Sequence, residues 1–229
     1  MDYTVLILTH IDKKTNKVLL PHLDWLLKSN PEIDYRIIVG EDSIYGKNYN
    51  WRNSDQVLRR WWKENASSVK NDNIAVIEWD TLICCELPQI SEDYDLVGAM
   101  KFEENIKIRG KWKPMRMKDP RWTQDNWMWW TEVPKLNLKQ EKKAVGLISF
   151  GAMFMKKQVL NNFCLPCWND VCSENILSEL RFPTLASICG FKIGEINLPF
   201  VSWTDVTVGK QKGIYHSVDY PISLDYFLD

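Results

Sequence analysis

The sequence predicts an α/β fold with a central, mostly parallel sheet flanked by helices, and its first forty residues carry the prediction. "YTVLILTH" opens as a run of strand formers without the alternation of a half-exposed strand, so it reads as a buried strand. "TNKVLLPHLDWLLKSNP" then sets Leu19, Leu23, Leu26 and Leu27 at helical spacing and closes at Asn30-Pro31. "DYRIIVGED" is a second short strand. Strand, helix and strand at this spacing form a βαβ unit, whose right-handed crossover requires a parallel pair.

The remaining elements follow in order. "NSDQVLRRWWKENASS" predicts a helix capped by Asn53 or Ser54, with Trp61 and Trp62 at core or interface positions, and it delivers the chain to a third parallel strand, "NIAVIEW". "YDLVGAM" is a fourth strand, and "AVGLISFGAMFMKKQVLNNF" a strand running into a helix with Gly151 near the junction. Between them, residues 101–143 are polar, Trp-rich and weakly periodic, the pattern of a mobile or substrate-covering segment. "SENILSELRFPTLASICGFKIGEINLP" predicts one helix interrupted before Pro183, a second ending at Gly190, then a short strand. The tail from Val206 has no clear period, and the chain shows no internal repeat.

Composition bounds the function. At 229 residues the chain can bury one sizeable core, so a single domain spanning 1–229 is expected. Lys and Arg number 29 against 30 Asp and Glu, which leaves no global field to attract nucleic acid or an anionic membrane. The apolar run near the N-terminus is too short for a signal-peptide core or a membrane span, and no later segment supplies one; a cytoplasmic location is expected. Among the six cysteines, Cys164 and Cys167 form a CxxC with Cys172 and Cys189 further on, but without a second CxxC or a nearby His pair these read as ordinary reduced thiols sooner than structural zinc.

The chemistry concentrates where "NIAVI" runs into Glu78-Trp79-Asp80. In an open parallel sheet, ligands sit beyond the carboxyl ends of the strands, and alternation about Trp79 puts both carboxylates on one face of an extended strand end. Two oxygen donors on one face suit a hard divalent cation completed by water and substrate phosphates.

This "EWD", preceded by "NIAVI" and followed by "TLICCELP", resembles the acidic D-x-D at the end of a Rossmann-like strand in nucleotide-sugar-dependent glycosyltransferases of the GT-A class. Glu in place of the first Asp keeps a carboxylate with a longer reach, so Asp80 is expected as the direct metal ligand and Glu78 as a ligand, a ribose contact or a contact through water. In the same class an acidic pair opens a helix, and a Gly, an aromatic and a basic residue follow eleven positions after its second acid, as Gly190-Phe191-Lys192 follow Glu179 here. The resemblance implies that Glu179 is the catalytic base, with Glu174 and Asp170 as rivals and Ser178 in place of the first acid of the pair. It also implies a histidine from the C-terminal segment in the metal shell, which His216 in "YHSVDYP" matches; imidazole favours Mn²⁺ over Mg²⁺.

By the same resemblance the first half of the chain, about 1–100, holds the nucleotide, and about 101–229 holds the acceptor and a C-terminal metal and phosphate loop. Thr9, His10, Glu41 and Asp42 stand where donor base and ribose are held; Arg52 and Asp55 precede the next helix and contact either nucleotide or helix cap; Trp79 lies between the acids. Gly151 and Ala152 lack bulk and admit the donor sugar, and Lys210 and Lys212, flanked by Gly209 and Gly213, meet the diphosphate. Trp122, Trp127, Trp129 and Trp130 are candidates for an acceptor saccharide, whose C–H faces pack on indole rings; an amphipathic core helix is the other reading of "WTQDNWMWW".

The expectation is therefore a metal-dependent transfer of a sugar from a nucleoside-diphosphate sugar, UDP-linked by prior, to a saccharide or glycan hydroxyl, in bacterial, viral or other cytosolic glycan assembly. It inverts the anomeric centre if Glu179 is the base and is open to retention otherwise. A nucleotidylyltransferase would need a Gly-rich basic loop that "LTHIDKKTNK" lacks, and a glycosidase would need its two acids on opposite sides of the sugar. A Trp-platform carbohydrate-binding module and a degenerate, nucleotide-binding transferase are the alternatives.

Overall fold

The computed structural model describes residues 2–9, 13–40, 53–98, 106–108, 111–113, 150–163, 178–195, 200–202, 213–216, 218, 220–222 and 224. Strand β1 (Tyr3–Thr9) is followed by α1 (Lys13–Ser29), β2 (Asp34–Val39), α2 (Ser54–Asn65), a 3₁₀ turn (Ala66–Ser68) and β3 (Asn73–Glu78). Then come β4 (Leu82–Ile83), β5 (Leu96–Gly98), β6 (Ile106–Ile108), β7 (Lys111–Lys113), β8 (Met153–Lys156), α3 (Lys157–Phe163), α4 (Ser178–Ile188), β9 (Ile193–Glu195), β10 (Phe200–Ser202) and β11 (Ile214–His216).

The central sheet has six strands in the order β2-β1-β3-β8-β5-β9. β1 pairs in parallel with both β2 and β3, β5 pairs in parallel with β9, and β8 runs antiparallel to its neighbours β3 and β5. The fold is thus mixed α/β with a mostly parallel sheet. All seven residues of β1 are buried, the signature of a strand covered on both faces.

Alternation along the strands divides the core in two. Leu6 and Leu8 of β1 with Ile74 and Val76 of β3 pack toward α2, α3 and α4 through Leu58, Trp62, Leu160, Phe163 and Phe182. Val5, Ile7, Ala75 and Ile77 pack on the opposite face against Leu19, Leu23 and Leu26 of α1. Trp62 is fully buried and its indole N–H donates to Asn161 Oδ1 at 3.0 Å, so it is a core residue with a satisfied polar tip.

Three details depart from the sequence expectation. β8 begins only at Met153, after Gly151, and it is antiparallel. α4 runs continuously through Pro183 from Ser178 to Ile188; tertiary packing of Phe182, Leu185 and Ala186 outweighs both the hydrogen bond Pro183 cannot donate and the crowding of its ring against the preceding turn. Asn53 is the N-cap residue of α2 but makes no side-chain cap bond, because its Oδ1 accepts from Arg181 Nη2 at 3.2 Å instead.

A second, three-stranded sheet has the order β10-β11-β4, with β11 parallel to β10 and antiparallel to β4. Because β4 follows the end of β3 by four residues, this small sheet carries the C-terminal β11 to the carboxyl edge of the main sheet. Among the described residues no helix is long and apolar enough to cross a membrane. The β6–β7 hairpin falls within the Trp-rich stretch; Trp122, Trp127, Trp129 and Trp130 lie outside the described residues.

Candidate metal centre at the end of β3

Parallel pairing of β1 and β3 continues one residue beyond Glu78, where the Trp79 N–H donates to Leu8 C=O at 2.9 Å. The chain then turns: the Thr81 N–H closes on Glu78 C=O at 3.0 Å. Glu78 and Asp80 therefore share a face through a tight turn, not through the extended alternation the sequence predicts. Trp79, between them, packs against the core layer on the α1 side.

His216, the last residue of β11, meets both acids. Its Nε2 lies 3.0 Å from Glu78 Oε2 and 3.2 Å from Asp80 Oδ1. One ligand atom from each of the three residues falls within 4.8 Å of the others, a spacing that accommodates one cation. Two members of the cluster are buried, Asp80 at 9% exposed and His216 at 2%, while Glu78 is half-buried. Burial works to lower the His216 pKa, but hydrogen bonds and charge attraction from Asp80 and Glu78 outweigh it and hold the imidazole well above its ordinary value. Two carboxylates and an imidazole form a hard, mixed O/N donor set of the kind that could hold a divalent cation.

Contacts around the cluster lace three distant segments together. The buried Thr81 hydroxyl donates to Gly151 C=O at 2.7 Å, and the Val218 N–H donates to Asp80 C=O at 2.8 Å. A side chain at Gly151 would collide with the His216 ring, whose Cγ lies 2.4 Å from where a Cβ would stand. The imidazole thus fills the space on the Cβ side of Gly151, and Ala152 is fully buried in the core.

His22, buried on α1, was not singled out by sequence. Desolvation pushes its pKa down to about 4, against opposing contributions from the Tyr220 backbone, Asp80 and the Trp79 backbone, so it sits neutral behind the turn. Its place on the apolar face with Leu19, Leu23 and Leu26 was the available signal.

The other predicted residues divide clearly. Thr9, at the carboxyl end of β1, is buried and its C=O accepts from the Gly40 N–H at 2.9 Å. Glu179, in the first turn of α4, is 4% exposed, and its Oε1 accepts from the Phe150 N–H at 3.2 Å, one residue from Gly151. Asp55 is fully buried in a bidentate ion pair with Arg181, whose Nε donates to Oδ2 at 2.6 Å, so its carboxylate is engaged between α2 and α4. His10, Glu41, Asp42, Arg52, Asp170, Glu174, Lys210 and Lys212 lie outside the described residues. So do Cys164, Cys167 and Cys172, while the buried Cys84 thiol donates to Gly213 C=O at 3.3 Å.

No family model matches this sequence, and no curated protein matches it. Several solved structures share its general course. They include a protein from STIV at 15% identity and a TM-score of 0.41, covering 87% of this chain and 86% of that one. The galactosyltransferase LgtC, solved in complex with donor and acceptor sugar analogs, aligns at 9% identity and a TM-score of 0.45 over 94% of this chain and 86% of its own. HddC from Yersinia pseudotuberculosis aligns at 12% identity and a TM-score of 0.37 over 85% and 89%.

Proposed function

We propose that this chain is a single-domain, metal-dependent glycosyltransferase of the GT-A type, moving a sugar from a nucleoside-diphosphate sugar to a saccharide hydroxyl. The observation that carries the reading is the convergence of Glu78, Asp80 and His216 at the carboxyl end of a parallel strand, where open α/β sheets bind their ligands. Asp80 and Glu78 supply the carboxylates and His216 the nitrogen for Mn²⁺ or Mg²⁺. Such an ion, when bound, neutralises the charge that develops on a departing diphosphate.

The protein's own residues do the rest. Burial of Asp80 and His216 excludes water from that side of the donor set, so electrostatic attraction there is stronger than at an exposed site. His216 would hold such an ion through a neutral imidazole nitrogen, its proton having passed to solvent. Glu179 is the proposed base: its carboxylate is held by the Phe150 N–H and, once aligned with an acceptor hydroxyl, takes that proton as the sugar carbon is attacked. Inversion follows from that role. UDP is the favoured nucleotide, and the Trp-rich stretch between β5 and β8 is the proposed acceptor side.

The test is a calorimetric titration of UDP into the protein with Mn²⁺, then with EDTA, repeated on Asp80→Ala. Binding that needs Mn²⁺ and disappears in the variant is expected, followed by hydrolysis of one or more UDP-sugars. Silence toward UDP, GDP and dTDP under all conditions would overturn the donor site.

A further inference from the structure

Glycine is chosen at position 151 for space, not for backbone conformation. Among the described glycines only Gly190 has a positive φ, so nothing in the backbone at Gly151 disfavours a side chain. Yet a Cβ there would stand 2.4, 2.5 and 2.7 Å from His216 Cγ, Nδ1 and Cδ2, well inside van der Waals contact. The ring has little freedom to retreat. It is buried, its backbone is paired with β10 in the small sheet and so tied to β4, and its outer nitrogen is engaged by Glu78 and Asp80. Gly151 is anchored in turn, since the Thr81 hydroxyl, from the turn that carries Asp80, holds its carbonyl at 2.7 Å.

We propose that Gly151 is a positioning residue for the cation site: its bare Cα forms the seat against which the His216 imidazole lies, and so fixes where the nitrogen donor stands relative to the two carboxylates. The Thr81 hydrogen bond makes this seat part of the same turn as Asp80, so the three donors are registered to one another before any ligand arrives. This inference rests on the triad being a cation site, as proposed above; the steric seat itself does not.

The test compares wild type, Gly151→Ala, His216→Ala and the double variant. With Mn²⁺ added, wild type should show electron spin-echo modulation from an imidazole nitrogen. Gly151→Ala should lose that modulation and bind Mn²⁺ about ten-fold or more weakly, the scale expected when a residue supporting a metal ligand is changed. In thermal melts, alanine at 151 should lower the melting temperature when His216 is present and leave it unchanged or raised when residue 216 is alanine, because the clash is gone and the unfolded chain is stiffer. If Gly151→Ala does not fold while the double variant does, the seat is supported. An imidazole signal and affinity that persist in Gly151→Ala would overturn the proposal, as would equal losses of melting temperature in both backgrounds. A wild-type protein that binds no Mn²⁺ overturns the cation-site reading instead, and the melting comparison still reports on the contact between residues 151 and 216.

Discussion

His216 and His22 show how one residue type acquires opposite charge states within the same region. Glu78 and Asp80 face His216 and raise its pKa despite burial, so the cation-free triad holds a proton. A cation entering the triad would have to displace that proton, so Mn²⁺ affinity should rise with pH as long as His216 remains protonated, with proton release read by titration in buffers of different ionisation enthalpy. A flat profile would contradict the assignment. His22, pushed down to about 4 by burial, works the other way: the unfolded chain takes up a proton near pH 6.5 that the folded protein refuses until about pH 4. Stability should therefore fall as pH drops across that window, by on the order of 3 kcal/mol at roughly 1.4 kcal/mol per pH unit. Urea unfolding of wild type and His22→Gln between those limits checks it; the variant should lose the slope, and an equally steep variant would rule His22 out.

Among the elements, α2 and α4 are joined by the buried Arg181–Asp55 pair, in which both side chains are almost wholly inaccessible. Removing one partner strands a charge, so Asp55→Ala should cost about 3–5 kcal/mol in denaturant unfolding. Replacing both, as Asp55→Leu with Arg181→Met, should recover most of that loss. A cost under about 1 kcal/mol for Asp55→Ala would mean that water reaches the pair. Sequence pattern had no access to this lock: Asp55 beside Asn53 and Ser54 reads as a helix cap, and its partner lies 126 residues away. β1, α1, β2, α2 and β3 were legible because apolar period and length agree there. The antiparallel β8 was not, because strand direction is set by the route of the connecting chain and not by the composition of a four-residue strand.

At the scale of the whole molecule, the candidate centre is a junction of two sheets. The main sheet contributes the turn after β3, and the small sheet brings His216 from 138 residues further along the chain. A cation there ties the folded state together, so Mn²⁺ at a hundred times its Kd should stabilise the protein by about 2.7 kcal/mol through mass action. The melting temperature should rise accordingly in wild type and stay put in Asp80→Ala; an equal rise in both would place the ion elsewhere.

The sequence by itself determined the α/β class, the βαβ opening and the two acids at the end of β3, because apolar periodicity and the abrupt arrival of carboxylates after a buried run are local properties of a chain. Only the tertiary structure decided that the acids meet through a turn, that Gly151 lies against the His216 ring, that Asp55 is spent on Arg181 and that His22 stands neutral behind the cluster. Each of those depends on residues far apart in sequence competing for the same buried space, and burial is what turns such neighbours into obligatory partners.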